Sequence, residues 1–212
     1  MVLNLKNLDD WGIGSASDYC KLWINNGVDI SGNGKTVTLN GTPTPYKLKN
    51  GETIHAFDAD TKYYSLSSST DFNLGTGDFA MGGWFRLTNT SNYPTTWCWI
   101  SNNAFNYCYI SATTILLRLN NNDSTHTISF ATNMWYHIYY SRTGTSLKLY
   151  INGVLVNTFT NGGNIPQDGI RIGAYLNNLY PVLGQINNFA IFKGIALTAG
   201  QIKALYDATY IE

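Results

Sequence analysis

Apolar and polar residues alternate along most of the chain with the period of two that turns every second side chain of a strand inward. Segments rich in Tyr, Val, Ile, Phe and Thr recur at 19–24, 79–87, 97–100, 107–111, 115–119 and 127–130, and again at 135–141, 147–151, 154–159, 170–172 and 186–192. Short strands at this spacing predict an all-β, antiparallel sandwich. Between 147 and 156 the sequence Leu-Lys-Leu-Tyr-Ile-Asn-Gly-Val-Leu-Val sets Asn152-Gly153 between two strands, and this pair supplies the two left-handed positions of a type I′ hairpin turn. Thr143-Gly144-Thr145 predicts a second tight turn just before it. The helical signal comes near the end. Thr198 and Gln201 have capping-box spacing, Leu197 and Ile202 that of a hydrophobic staple, and Ile202, Leu205 and Tyr206 form an i, i+3, i+4 stripe. The expectation is one short C-terminal helix packed on the sandwich.

Neither a repeat nor a composition break divides the 212 residues, a length at which a β-sandwich is commonly one domain. The reading is a single β-sandwich domain over 19–212, preceded by an N-terminal arm or edge segment at 1–18. Charged residues are only 12%, and Lys plus Arg balances Asp plus Glu at 13 each, so hydrogen-bonding groups rather than charges must wet the surface. A chain without net field is a poor partner for nucleic acid, and no apolar run approaches the roughly 20 residues of a membrane helix. The first ten residues lack a signal-peptide pattern. Cys20, Cys98 and Cys108 have no metal-knuckle spacing. Buried free thiols are the favoured reading, with Cys98 facing Cys108 across a hairpin as the alternative.

Several stretches, in order, resemble the laminin G-like jelly-roll domain of the concanavalin A-like lectin/glucanase superfamily. Asp29-Ile-Ser-Gly-Asn33 is similar to an element near the start of such domains, and Phe72 through Leu87 to its "dF…W" strand. Trp135 through Gly153 resembles the tryptophan strand and following Asn-Gly hairpin, and Gly184 through Tyr206 the closing segment. Asn187-Asn188 departs from the acidic pair that the family often has there. The resemblance implies the sandwich fold and binding at the loop rim or on a sheet face. It leaves function to be argued from the site, because lectins, glycanases, adhesion modules and virion proteins share the fold.

Glycoside hydrolysis needs two carboxyl groups across the sugar bond. The chain has two glutamates, Glu52 beside a turn and Glu212 at the end, and lacks the glucanases' E-x-D-x-E strand; Asp58 and Asp60 lie in a turn-like stretch. No catalytic residue is assigned, and His55, His126 and His137 read as structural or surface groups. For calcium, Asp29 with backbone carbonyls and Asn187 offers hard oxygen ligands; a capped turn at Asp29 is the favoured alternative, and no other cofactor is indicated. Binding has more support. Aromatic residues are 14% of the chain, and several stand in Asn-, Ser- and Thr-rich loops: Tyr93, Phe105, Tyr175 and Tyr180, with Trp97 close by and Asn92, Asn177 and Asn178 as neighbours. Rings cover the apolar side of a sugar while amides bond its hydroxyls. These residues predict a non-catalytic module for a glycan or cell-surface polysaccharide, placed outside the cell. The alternative is a structural or adhesive subunit of a virion, a bacteriophage tail or head-decoration protein, with Leu3, Leu5, Leu8 and Trp11 of the arm as docking anchors.

Overall fold

A computed structural model describes residues 18–100 and 105–211. Its strands form two antiparallel sheets. The larger sheet runs β14 (Val154–Thr160), β13 (Ser146–Ile151), β12 (Trp135–Thr143), β7 (Phe79–Leu87), β16 (Gly184–Lys193), β1 (Cys20–Asn25) and β2 (Val28–Asp29). β5 (Thr53–Phe57) pairs with the start of β16 and with β4 (Thr44–Lys47). The smaller sheet runs β11 (Asn122–Thr127), β10 (Thr114–Leu119), β9 (Tyr107–Ile110), β8 (Thr95–Trp99), β15 (Ile170–Ile172), β6 (Tyr63–Leu66) and β3 (Thr38–Asn40).

The alternation read from the sequence decides what fills the space between the sheets. Phe79, Met81, Phe85 and Leu87 of β7 and Ile138 and Tyr140 of β12 meet Cys108 and Ile110 of β9 and Ile115, Leu117 and Leu119 of β10 in one buried cluster. Each such large apolar side chain contributes roughly 1.5–3 kcal/mol by leaving water. A second cluster lies on the other face of the larger sheet, where Trp23, Ala80, Tyr139, Tyr150 and Phe192 are covered by Leu197 and by Ile202 and Leu205 of the helix α1 (Ala199–Ala208). Part of that outer face is therefore sealed. The outer face of the smaller sheet has no helix over it among the described residues.

Local chemistry sets the ends of these elements. Thr198 Oγ1 accepts from the Gln201 backbone N–H and the Gln201 side chain accepts from the Thr198 N–H, so the capping box is formed. Asn152 and Gly153 have φ of 51° and 77°, and Gly144 has 56°, as the two hairpin turns require. Asn120 and Asn121, at φ 47° and 65°, close a further tight turn that pairs Leu119 with Asn122. The strand expected at 127–130 therefore ends at Thr127 and begins five residues earlier, on the polar Asn122. The strands between 28 and 66 were not anticipated, none of them being longer than five residues.

Cys98 pairs with Tyr107 and Cys108 with Trp97, so the two cysteines are not opposite each other. All three thiols are free and buried, and burial pushes each up to about 12. The anchors Leu3, Leu5, Leu8 and Trp11 lie outside the described residues. Among the described residues no helix is long and apolar enough to cross a membrane.

Candidate functional site

In β9, Cys108 and Ile110 point into the core, so Tyr107 and Tyr109 project from the outer face of the smaller sheet. β10 alternates in register with it, setting Arg118 beside Tyr107 and Leu116 beside Tyr109. Arg118 also faces Asp123 of β11. Its guanidinium donates two hydrogen bonds to that carboxylate, with Nη2 at 2.6 Å from Oδ2, and lies 5.4 Å from the centre of the Tyr107 ring. The pair cancels its own charge while keeping polar edges toward solvent.

Two loops bring further rings to this strip. Tyr93, ahead of β8, meets Tyr109 edge-on at 5.1 Å between centroids. Tyr175, after β15, meets Tyr107 edge-on at 5.3 Å, and Tyr180 lies 6.0 Å from Tyr175. Tyr107 and Tyr109 stack at 6.3 Å, so the rings run without a break from Tyr93 to Tyr180. With Phe105, Thr95, Leu116 and Asn121 they line an open cleft of about 490 Å³, within the size range of small-ligand sites. Tyr93, Phe105 and Tyr180 are exposed, and Tyr107, Tyr109 and Tyr175 are half-buried.

The loops hold unusual backbone to do this. Tyr93 and Tyr180 have φ of 53° and 50°, left-handed values that cost a non-glycine residue on the order of 1 kcal/mol or more. Bonds to the frame offset that cost. The Tyr180 carbonyl accepts from Thr95 N–H at 2.8 Å, and Tyr175 N–H donates to the Leu179 carbonyl at 2.9 Å. Arg171 of β15 donates to the Tyr175 carbonyl and to Asn178 Oδ1, each at 3.3 Å, with its guanidinium 4.7 Å from the Tyr63 ring centre. Partial burial raises the Tyr107, Tyr109 and Tyr175 phenols above their ordinary range. They stay protonated at neutral pH, each able to donate and to accept. Asp123 is the one carboxylate among the described lining residues, and Arg118 engages it.

Of the residues the sequence singled out, Tyr93, Phe105, Tyr175 and Tyr180 come together here from distant loops. Trp97 does not. It is fully buried on the inward face of β8, 5.6 Å from the Phe85 ring centre and 5.4 Å from that of Phe189, and is a core residue. Asn92, Asn177 and Asn178 are outside the lining and take left-handed φ of 60°, 56° and 60°, so they shape the loops that carry the tyrosines. Sequence reading missed Tyr107, Tyr109, Arg118 and Asp123. Their signal was the alternation of Tyr with Cys and Ile at 107–110, which assigns both tyrosines to the face opposite the core.

The carboxylate of Asp29 accepts from three backbone N–H groups: Trp23 and Ser31 at Oδ1 (3.2 and 2.9 Å) and Lys35 at Oδ2 (2.8 Å). Asn187 Oδ1 accepts from Asn26 N–H at 3.4 Å. Both carboxylate oxygens of Asp29 are thus engaged by backbone amides, as in a capped turn, and no group of three or more His, Cys, Asp or Glu side chains that could hold a metal is found among the described residues. Asn188, at φ 51° in a bulge of β16, accepts from Trp23 Nε1 and Asn25 Nδ2, a role for which an amide oxygen suffices.

Comparison with solved structures finds the same fold in neurotoxin binding domains. Botulinum neurotoxin type C, whose uptake into cells depends upon interaction with two ganglioside molecules, superposes with a TM-score of 0.70 at 18% identity over 92% of this chain and 52% of that one. The binding domain of botulinum neurotoxin DC in complex with SialylT gives 0.71 at 19% identity, over 92% and 52%. The binding domain of Paraclostridial Mosquitocidal Protein 1 gives 0.73 at 14%, over 91% and 53%. The chain thus spans about half the length of these structures. No curated protein matches its sequence. The family model described as the concanavalin A-like lectin/glucanases superfamily matches residues 58–203, a stretch that runs from β6 through β16 into the first half of the helix and so takes in strands of both sheets. By that match and by its two-sheet fold, the chain belongs to this superfamily.

Proposed function

We propose that the chain is a non-catalytic carbohydrate-binding module that holds a neutral glycan in the tyrosine cleft of its smaller sheet. The observation that carries this reading is the unbroken row of five tyrosines, drawn from two loops and one strand, beside a self-neutralised Arg118–Asp123 pair. Tyrosine faces shed water against the C–H side of a sugar ring, while phenols, guanidinium and carboxylate edges exchange hydrogen bonds with its hydroxyls. A cleft with one carboxylate, already paired, lacks the second group of an acid–base pair, which supports binding without hydrolysis. The ganglioside and SialylT partners of the similar toxins support a saccharide ligand at a cell surface, although they belong to chains about twice as long.

A glycan array with the full chain, followed by titration calorimetry on the best binder, tests the reading. Tyr107→Ala should weaken that binding by about 1–3 kcal/mol, by analogy with stacking on aromatic side chains, and leave the melting temperature nearly unchanged. An array without binders, or a binder indifferent to Tyr107→Ala and Tyr175→Ala, contradicts it.

A further inference from the structure

A second groove, of about 630 Å³, opens on the outer face of the larger sheet, next to the part that α1 covers. Its electrostatics are the opposite of the first. Lys47, Lys49 and Arg86 line it, none of them in an ion pair among the described residues, and no described lining residue is acidic. Neutral oxygens hold Arg86 in place: Nη1 donates to Gln185 Oε1 at 2.7 Å, Nε to the Asn133 carbonyl at 3.2 Å and Nη2 to Asn133 Oδ1 at 3.1 Å. Its guanidinium lies 5.2 Å from the Tyr46 ring centre. The fixed cation keeps its whole charge. In a chain with zero net charge, three cations that have no acidic partner among the described residues are a local concentration in one groove that leaves room for an anion.

Flat apolar faces accompany the charge. Tyr46 and Trp135 are half-buried and Tyr210 is 54% exposed, so the groove offers rings as well as cations. Inorganic anions have no use for rings, and neutral sugars have none for three clustered cations. We infer that this groove binds an acidic saccharide, carboxylated or sulfated, with its anionic group at Arg86, Lys47 and Lys49 and its ring against the aromatic side chains. This site is separate from the tyrosine cleft and does not depend on the reading given to it.

Calorimetric titration of the full chain tests the inference, using a glucuronate-containing disaccharide, a sulfated disaccharide, a neutral disaccharide and inorganic sulfate. With the tyrosine cleft disabled by Tyr107→Ala, at least one acidic disaccharide should bind on the order of tenfold more tightly than the neutral one and than sulfate, and added salt should weaken it. Lys47→Gln combined with Lys49→Gln, both at exposed positions, should lower that affinity about tenfold at an unchanged melting temperature. Arg86→Gln should lower it as well, and Tyr107→Ala in the other cleft should leave it as it was. The inference is overturned if neither acidic disaccharide binds, or if the neutral sugar or sulfate binds equally well and loses that binding equally in the double lysine variant. Loss of binding on Tyr107→Ala with retention in the double lysine variant also overturns it.

Discussion

Arg142 is a cation at 0% exposure, and its guanidinium is occupied by backbone carbonyls: Gly75 and Gly77 at 2.9 and 2.7 Å from Nη2, Gly163 at 2.6 Å from Nη1, with Phe79 beneath at 4.6 Å. It ties two glycine-rich turns to β12. Arg142→Met should cost about 3–5 kcal/mol in chemical denaturation, because the orphaned carbonyls stay buried. His137 makes a different demand. It is buried against Trp84 and Tyr139, and burial lowers its imidazole from 6.5 to about 3. Its folded form resists the proton that the unfolded chain takes up, so its contribution is whole above pH 6.5 and is lost progressively as pH falls toward 3. Between pH 7 and pH 5 the parent should lose about 2 kcal/mol through this group, and His137→Gln should remove that part of the slope in denaturant midpoints. Asp29 provides a third residue-scale test. Asp29→Ala should destabilise by about 1–3 kcal/mol, whereas melting temperatures in excess calcium and in chelator should coincide.

Elements show where sequence reading succeeds. The Asn152-Gly153 hairpin and the capped helix were legible because each rests on contiguous residues whose conformational needs are local. The two are also joined in space. A Cβ at Gly153 would lie 2.8 Å from Lys203 Cδ and 3.2 Å from Tyr206 Cβ, and its φ is 77°. Gly153→Val should therefore cost at least about 1–3 kcal/mol in thermal or chemical unfolding, and more than a like change at Gly144, which has open space. The Asn120-Asn121 turn was illegible for a related reason: two consecutive asparagines also suit a plain loop, and taking them so displaced β11 toward the apolar residues after it. Trp97 shows a limit of another kind. It stands near loop residues in sequence, yet a bulge between Thr95 and Trp97 separates the outward strip from the core. Four of the loop rings in the cleft were legible from composition, while Tyr107, Tyr109 and the Arg118–Asp123 pair required knowing which face of the sheet was free.

At the scale of the whole molecule, the helix seals part of one outer face, no described helix covers the other, and loops from distant parts of the sequence converge on that second face. That arrangement gives a rigid sheet with aromatic side chains presented outward and leaves function to the surface. We propose that a neutral glycan meets the chain at the tyrosine cleft and leaves it unhydrolysed. The most direct measurement is two-dimensional NMR of the labelled full chain during titration with the best-binding neutral oligosaccharide from an array. If the cleft holds the glycan, the largest shifts fall at Tyr93, Tyr107, Tyr109, Tyr175, Tyr180 and Arg118, and the sugar is recovered intact after prolonged incubation. Shifts centred away from these residues, or cleavage of the oligosaccharide, would contradict it.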